Sequence, residues 1–193
     1  MTRDEELMLQ FQRGSTEAFT ELFIRYRNPL YCFFRRRLAD AARAEELAQE
    51  CFLAVLQRAE RYEPRATFRT YLYSIALRMV AAEYRKQSRE PVGGKANGND
   101  PEEISREEST ELALAVKRAI GSLDSDHREI LMLREYEGLS YEEIAAALKI
   151  PVNTVRSRLF RARTQLKAVL EGRTSPAPSE RNAIAMSPVR QES

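Results

Sequence analysis

LSYEEIAAALKIPVNTVRSRLFRAR, Leu139 to Arg163, is the stretch on which the fold turns. Ser140, Glu143 and the apolar Ile144 form a capping box, in which the serine hydroxyl accepts from the amide three residues on and the glutamate reaches back to the serine amide. A helix therefore starts at Ser140, runs to about Leu148 and stops before Ile150-Pro151; Pro151 then suits the first turn of a second helix, Val152 to Leu170. Helix, short turn, helix is the pattern of a helix-turn-helix. Ile144, Ala145 and Leu148 on the first helix and Ile150, Val155 and Leu159 around the second supply its apolar contact, with small Ala145 allowing close approach. The stripe Val155, Leu159, Ala162, Leu166 leaves Arg156, Ser157, Phe160 and Arg161 on another face. An aromatic between arginines there suits a groove reader, because arginine reads guanine edges and phenylalanine touches a thymine methyl. The competing expectation is a basic surface helix with Phe160 in a local core.

Charge along the chain favours the first reading. The 193 residues sum to +2, yet residues 149–170 carry six basic side chains and no acidic one, an electrostatic footprint for phosphate. Residues 1–86 carry +3, 87–111 carry −4 and 112–148 carry −3. Thirteen of the sixteen aromatics precede residue 87, and none lies between Tyr84 and Tyr136, which marks a boundary. The sequence there, QSREPVGGKANGND from Gln87 to Asp100, supports no regular period and reads as a flexible linker with an acidic continuation to Glu111. Past Leu170 the proline-bearing, aperiodic segment reads as a disordered tail.

The first block is helical by periodicity. Ala18, Leu22 and Tyr26 are spaced by four, as are Leu47, Cys51 and Val55; Phe68, Leu72, Ile75, Ala76 and Met79 form another stripe. Helix breaks are expected at Asn28-Pro29 and Glu63-Pro64. In the second block Leu112, Val116, Ala119, Ile120 and Leu123 share one face, ahead of a helix bearing Ile130, Leu131 and Leu133. The expected fold is all-α: two small helical domains, 1–86 and 112–170, with a flexible linker 87–111 and a disordered tail 171–193.

Several function classes drop out. No apolar run approaches the ~20 residues of a membrane span, and Met1 to Glu6 is acidic where a signal peptide is basic, so no membrane insertion and a cytoplasmic location are expected. Two cysteines, Cys32 and Cys51, with one histidine, His127, give no zinc set, and no phosphate loop or serine elbow occurs. No metal, no cofactor and no catalytic centre are expected.

The helix-turn-helix stretch resembles region 4 of the extracytoplasmic-function sigma factors of bacterial RNA polymerase. ARAEELAQECFLAVL, Ala42 to Leu56, is similar to sigma region 2.2, and FRTYLYSIALRMVAAEYRKQSR, Phe68 to Arg89, to regions 2.3 and 2.4. The resemblance implies a region 2 bundle and a region 4 helix-turn-helix. It implies a promoter-specificity subunit that binds core RNA polymerase, reads two elements of promoter DNA and melts the upstream one, together with an anti-sigma factor as partner. Glu46, Gln49 and Glu50 match the surface that docks on the polymerase clamp helices; by residue type alone they are a solvated helix face. The loop from Arg61 to Thr67 and the following helix match the part that takes the melted minus-ten element. Arg61, Tyr62, Arg65, Thr67, Arg69, Tyr73, Arg78 and Arg85 supply the cations and π-faces that unstacked DNA needs. Asn153, Thr154, Arg156, Ser157, Phe160 and Arg161 match the minus-thirty-five reader, with Arg158 and Arg163 as phosphate anchors. Tyr71, where the family often has tryptophan, is either a wedge or core, and Arg35-Arg36-Arg37 either touches phosphate or forms an exposed loop.

The sequence departs from the family pattern at several positions. Lys149 replaces a turn glycine, Asn153 another glycine, and Asp124 a common proline; Arg78 and Ala82 stand where asparagine and aspartate are frequent. A runner-up function is a stand-alone helix-turn-helix regulator acting without core polymerase, for which the 42–89 block has no use.

Overall fold

The computed structural model describes residues 3–89 and 111–172, and among them the only regular structure is helical. The interior of the linker and all but the first two residues of the tail lie outside the described residues. Among the described residues eight α-helices form two units. The first holds α1 (Asp4–Gln12), α2 (Thr16–Arg35), α3 (Ala41–Gln57) and α4 (Phe68–Gln87), with a 3-10 turn at Ala59–Arg61. The second holds α5 (Glu111–Gly121), α6 (Ser125–Glu135), α7 (Tyr141–Leu148) and α8 (Val152–Leu170).

Side-chain caps set where these helices start. Ser15 accepts from the Ala18 amide, Asp40 from Ala42 and Arg43, and Thr67 from Thr70, each satisfying a donor that has no partner within its helix. The apolar stripes of α2, α3 and α4 converge: Leu22, Leu30, Phe33, Leu47, Cys51, Val55, Phe68 and Leu72 are all fully buried. Two expectations need correction. The chain does not break at Asn28-Pro29, because α2 runs through Pro29. Pro29 is exposed, whereas Tyr26, Leu30, Phe33 and Phe34 on either side of it stay in the core, so tertiary burial outweighs the missing hydrogen bond. The helix α1 was not anticipated; it is held by buried Leu7 and Met8 and by Asp4, which pairs with Arg25 and accepts from the Tyr26 hydroxyl.

In the second unit α6 and α7 pack on α8, with Ile130, Leu133, Ile144, Val155, Leu159 and Ala162 sealed between them. The expected stripe of α5 is only partly realised, since Ala119 and Leu123 are buried but Leu112 is 69% exposed. The first unit meets the second where α4 packs on α7, and one apolar cluster runs through both.

Candidate nucleic-acid and polymerase interfaces

The helix-turn-helix forms as its sequence requires. Ser140 Oγ accepts from the Glu143 amide at 3.1 Å and Glu143 Oε2 accepts from the Ser140 amide at 2.8 Å, completing the capping box. Lys149 ends α7 in the left-handed region, φ 56° and ψ 45°, and the Lys149 and Ile150 amides both return to the Ala145 carbonyl. That turn sets α8 across α7, with Pro151 just ahead of the first turn of α8 and not inside it.

On α8 the buried residues Val155, Leu159 and Ala162 fix the rotation of the helix. Asn153, Arg156, Ser157, Phe160 and Arg161 then point to solvent, while Thr154 is half-buried. Phe160 is 72% exposed, which excludes a place in a local core. Ser157 Oγ donates to the Thr154 carbonyl at 3.0 Å and Arg156 to Asn153 Oδ1 at 3.3 Å. Arg158 and Arg163 differ from the rest. The 149–170 segment has no acidic residue of its own, but α6 supplies partners: Asp126 lies 3.0 Å from Arg158 and Glu135 2.7 Å from Arg163. Arg161 has no ion-pair partner among the described residues.

The α3 face presents Glu46, Gln49 and Glu50 to solvent together. Arg43 Nη1 bonds both Glu46 and Glu50 at 2.9 Å, and its Nη2 is anchored by Glu83 at 3.0 Å, whose hydrogen bond and those of Glu46 and Glu50 raise the guanidinium pKa further. Exposed Leu53 and Leu56 continue that face, giving it an apolar flank that the charge pattern did not reveal.

The minus-ten candidates divide. Arg61, Arg65, Thr67, Arg78 and Arg85 are exposed, with Arg65 paired to Glu63 at 2.5 Å and Arg78 Nε folded back on the Ser74 carbonyl. Tyr62 is 5% exposed, and burial pushes its hydroxyl pKa up to about 12. It packs edge-on against Tyr71 at 5.2 Å and near Phe68, so Tyr71 belongs to an aromatic cluster at the base of the loop. Two residues of α1 hold this loop in place. Gln12 Nε2 donates to the Ala59 and Tyr62 carbonyls at 2.7 and 2.8 Å, and Glu5 accepts from the Phe68 amide at 2.6 Å. No motif flags Glu5 or Gln12; their partners are 47 to 63 residues away in sequence.

Thr67, Arg69 and Tyr73 lie against the second unit. Thr67 Oγ1 donates to Glu143 at 2.7 Å, Arg69 donates to the Glu137 carbonyl, and the Tyr73 hydroxyl donates to Glu137 Oε2 at 3.1 Å. Burial opposes ionisation of Glu143, but hydrogen bonds from Ser140 and Thr67 and the charge of Arg69 outweigh it and hold its carboxyl below the usual range. Nor is Arg35-Arg36-Arg37 an exposed loop. Arg37 is buried, stacked 3.6 Å from the Phe33 ring centroid and bonded to Glu129 at 2.7 Å, and Arg36 reaches Glu137 at 2.7 Å.

Among the described residues no cluster of histidine, cysteine and carboxylate can hold a metal. Cys51 is sealed in the first unit, where burial pushes its thiol up to about 12, while His127 lies in the second beside Gln165. No described helix is long and apolar enough to cross a membrane.

Two helical units, one carrying a helix-turn-helix with an exposed arginine-rich second helix, define a DNA-binding protein of the transcription apparatus. Residues 22–90 match sigma-70 region 2 and residues 113–166 match sigma-70, region 4. The chain is 33% identical to the RNA polymerase sigma-H factor of Pseudomonas aeruginosa, over 88% of this chain and 94% of that one. It is 35% identical to the ECF RNA polymerase sigma-E factor of Escherichia coli, over 83% and 90% respectively. Among solved structures, CnrH in complex with the cytosolic domain of CnrY aligns with a TM-score of 0.68 at 26% identity, covering 89% of this chain and 99% of that one. The chain belongs to the sigma-70 family of RNA polymerase sigma factors, in its extracytoplasmic-function branch.

Proposed function

We propose that the protein directs core RNA polymerase to a small set of promoters, with its two units dividing the work. Glu46, Gln49 and Glu50 on α3 dock on the polymerase clamp helices, with Leu53 and Leu56 extending the contact. The loop 61–67 and α4 take the melted minus-ten strand, using Arg61, Arg65 and Arg78 for the backbone and half-buried Tyr71, at the edge of the aromatic cluster behind them, for a base. Helix α8 reads the minus-thirty-five element in duplex form through Asn153, Arg156, Ser157, Phe160 and Arg161, and Arg158 and Arg163 steady it on phosphate. The unit boundaries at 1–86 and 112–170 follow from this division. The protein catalyses no reaction itself, works in the cytoplasm, and is held in check by an anti-sigma partner that covers the same faces.

One observation supports this reading above the others: the buried Val155, Leu159 and Ala162 turn Arg156, Phe160 and Arg161 outward on one face of α8. The test is to mix the purified protein with sigma-free bacterial core polymerase and follow co-elution and transcription from genomic fragments. Co-elution that is lost on Gln49→Ala with Glu50→Arg supports the reading. Tight binding to duplex DNA by a protein that ignores polymerase would instead make it a stand-alone regulator.

A further inference from the structure

The seam between the two units is built from charge. Glu137, just past the end of α6, has its side chain 2% exposed between Arg36, the C-cap of α2, and Tyr73 of α4, with Arg37 Nη1 3.7 Å away. Glu129 of α6 receives both Nε and Nη2 of Arg37, at 3.3 and 2.7 Å. Arg69 donates to the main-chain carbonyl of Glu137, and Gly138 at φ 64° turns the chain there, where a Cβ would come 3.7 Å from Arg69. Every donor in this set comes from the first unit, and the Glu129 and Glu137 acceptors come from the second.

Two guanidiniums and a tyrosine hydroxyl on carboxylate oxygens, with a third guanidinium on the adjoining main-chain carbonyl, form a site for a planar or tetrahedral oxyanion, phosphate included. Arg37 is also held from within the first unit, where its Nη1 donates to the Phe33 carbonyl at 2.9 Å and its plane stacks on the Phe33 ring. A cavity of about 380 Å³ opens beside Glu137, lined by Arg25, Arg36, Arg69 and Tyr73 among others, so an anion can reach Arg36 and Arg69 from solvent. Arg37 lies behind them, its side chain 3% exposed, and becomes reachable only when the second unit leaves.

We propose that Arg36, Arg37 and Arg69 form a binding site for the phosphate backbone of single-stranded nucleic acid, and that Glu129 and Glu137 occupy it as phosphate mimics in the free protein. The proposal rests on the role given above to α4 in holding melted promoter DNA. It adds Arg36 and Arg37 to that track and makes the second unit a competitor for it. Strand backbone and the Glu129–Glu137 pair exclude each other, so a closed protein binds single strands weakly and a bound strand pushes the units apart.

The test uses the full chain with Cys32→Ser and dyes on Gln57→Cys and Lys167→Cys, one in each unit. The probe is a random-sequence single-stranded 20-mer whose binding is read by anisotropy. Glu129→Gln with Glu137→Gln should lengthen the dye separation and raise affinity for the 20-mer at least ten-fold. A Glu17→Gln, Glu171→Gln control carries the same charge change away from the seam and should gain less than three-fold. Circular dichroism checks that helix content is kept. In the labelled protein with both glutamates intact, saturating 20-mer should itself lengthen the separation, which tests the exchange without altering the seam. An affinity gain no larger than the control's, or a separation that stays short when the oligonucleotide is bound, overturns the proposal. The co-elution with core polymerase is a separate arm: a protein that ignores polymerase but passes both of these tests loses the sigma reading and keeps the exchange.

Discussion

Lys149 is the one described non-glycine residue with a positive φ, and it sits where the helix-turn-helix must turn. A side chain in the left-handed region costs about 1 to 2 kcal/mol, part of which glycine gives back through its freer unfolded chain. Lys149→Gly should therefore stabilise the second unit by about 1 kcal/mol, read as a rise of a few degrees in its melting temperature. On the outer face of α8, Phe160 and Arg161 bear on DNA and not on stability. Phe160 is largely exposed and Arg161 has no ion-pair partner among the described residues, so Phe160→Ala and Arg161→Ala should leave thermal stability within about 0.5 kcal/mol. Arg161→Ala should weaken binding to the cognate minus-thirty-five duplex by about 1 to 3 kcal/mol and relax specificity at one base pair. An unchanged footprint would return α8 to a structural role.

At the scale of elements, the loop 59–67 is held by a helix whose role no local pattern announces. Gln12 satisfies two carbonyls at the base of that loop, so Gln12→Ala leaves both without their side-chain donor. The expected outcome is faster amide exchange through 59–67 and weaker single-strand binding, with the second unit unaffected. Glu143 gives a pH prediction. Its carboxyl lies below the ordinary value of 4.5, so its contribution is complete above that value and is lost as pH falls through its lower, folded value. Acidification below 4.5 should thus loosen the α7 cap and the Thr67 contact together, and Glu143→Gln should flatten that part of the acid profile. The pattern of what was legible follows from range. The capping box, the turn at Lys149 and the stripes of α3, α4 and α8 lie within a few residues and could be read directly. The passage of α2 through Pro29 could not, because local preference pointed to a break and only the burial of Leu30, Phe33 and Phe34 decides otherwise. Asp126 and Glu135 escaped notice as partners of Arg158 and Arg163 because they lie on another helix.

For the molecule as a whole, the seam is where sequence reading stops, since Arg37 and Glu129 are 92 residues apart and Arg36 and Glu137 are 101. Charge counts showed a basic first block and an acidic 112–148 segment, which is the complementarity that the seam uses, but not which side chains meet. The seam also governs how the protein unfolds. Docked units share one apolar cluster and a set of buried ion pairs, so they should melt in a single calorimetric transition. Arg37→Met keeps the length and apolar body of the side chain and removes its charge, leaving Glu129 and Glu137 each short of a guanidinium in a partly desolvated place. Breaking a buried pair from one side costs about 3 to 5 kcal/mol, and undocking escapes that cost by returning both carboxylates to water. The variant should relieve itself by opening, and its calorimetric trace should split into two transitions, one for each unit. A single transition moved to lower temperature would place the whole cost inside the first unit, where Arg37 also bonds the Phe33 carbonyl, and would mean that the seam contributes little to holding the two units together.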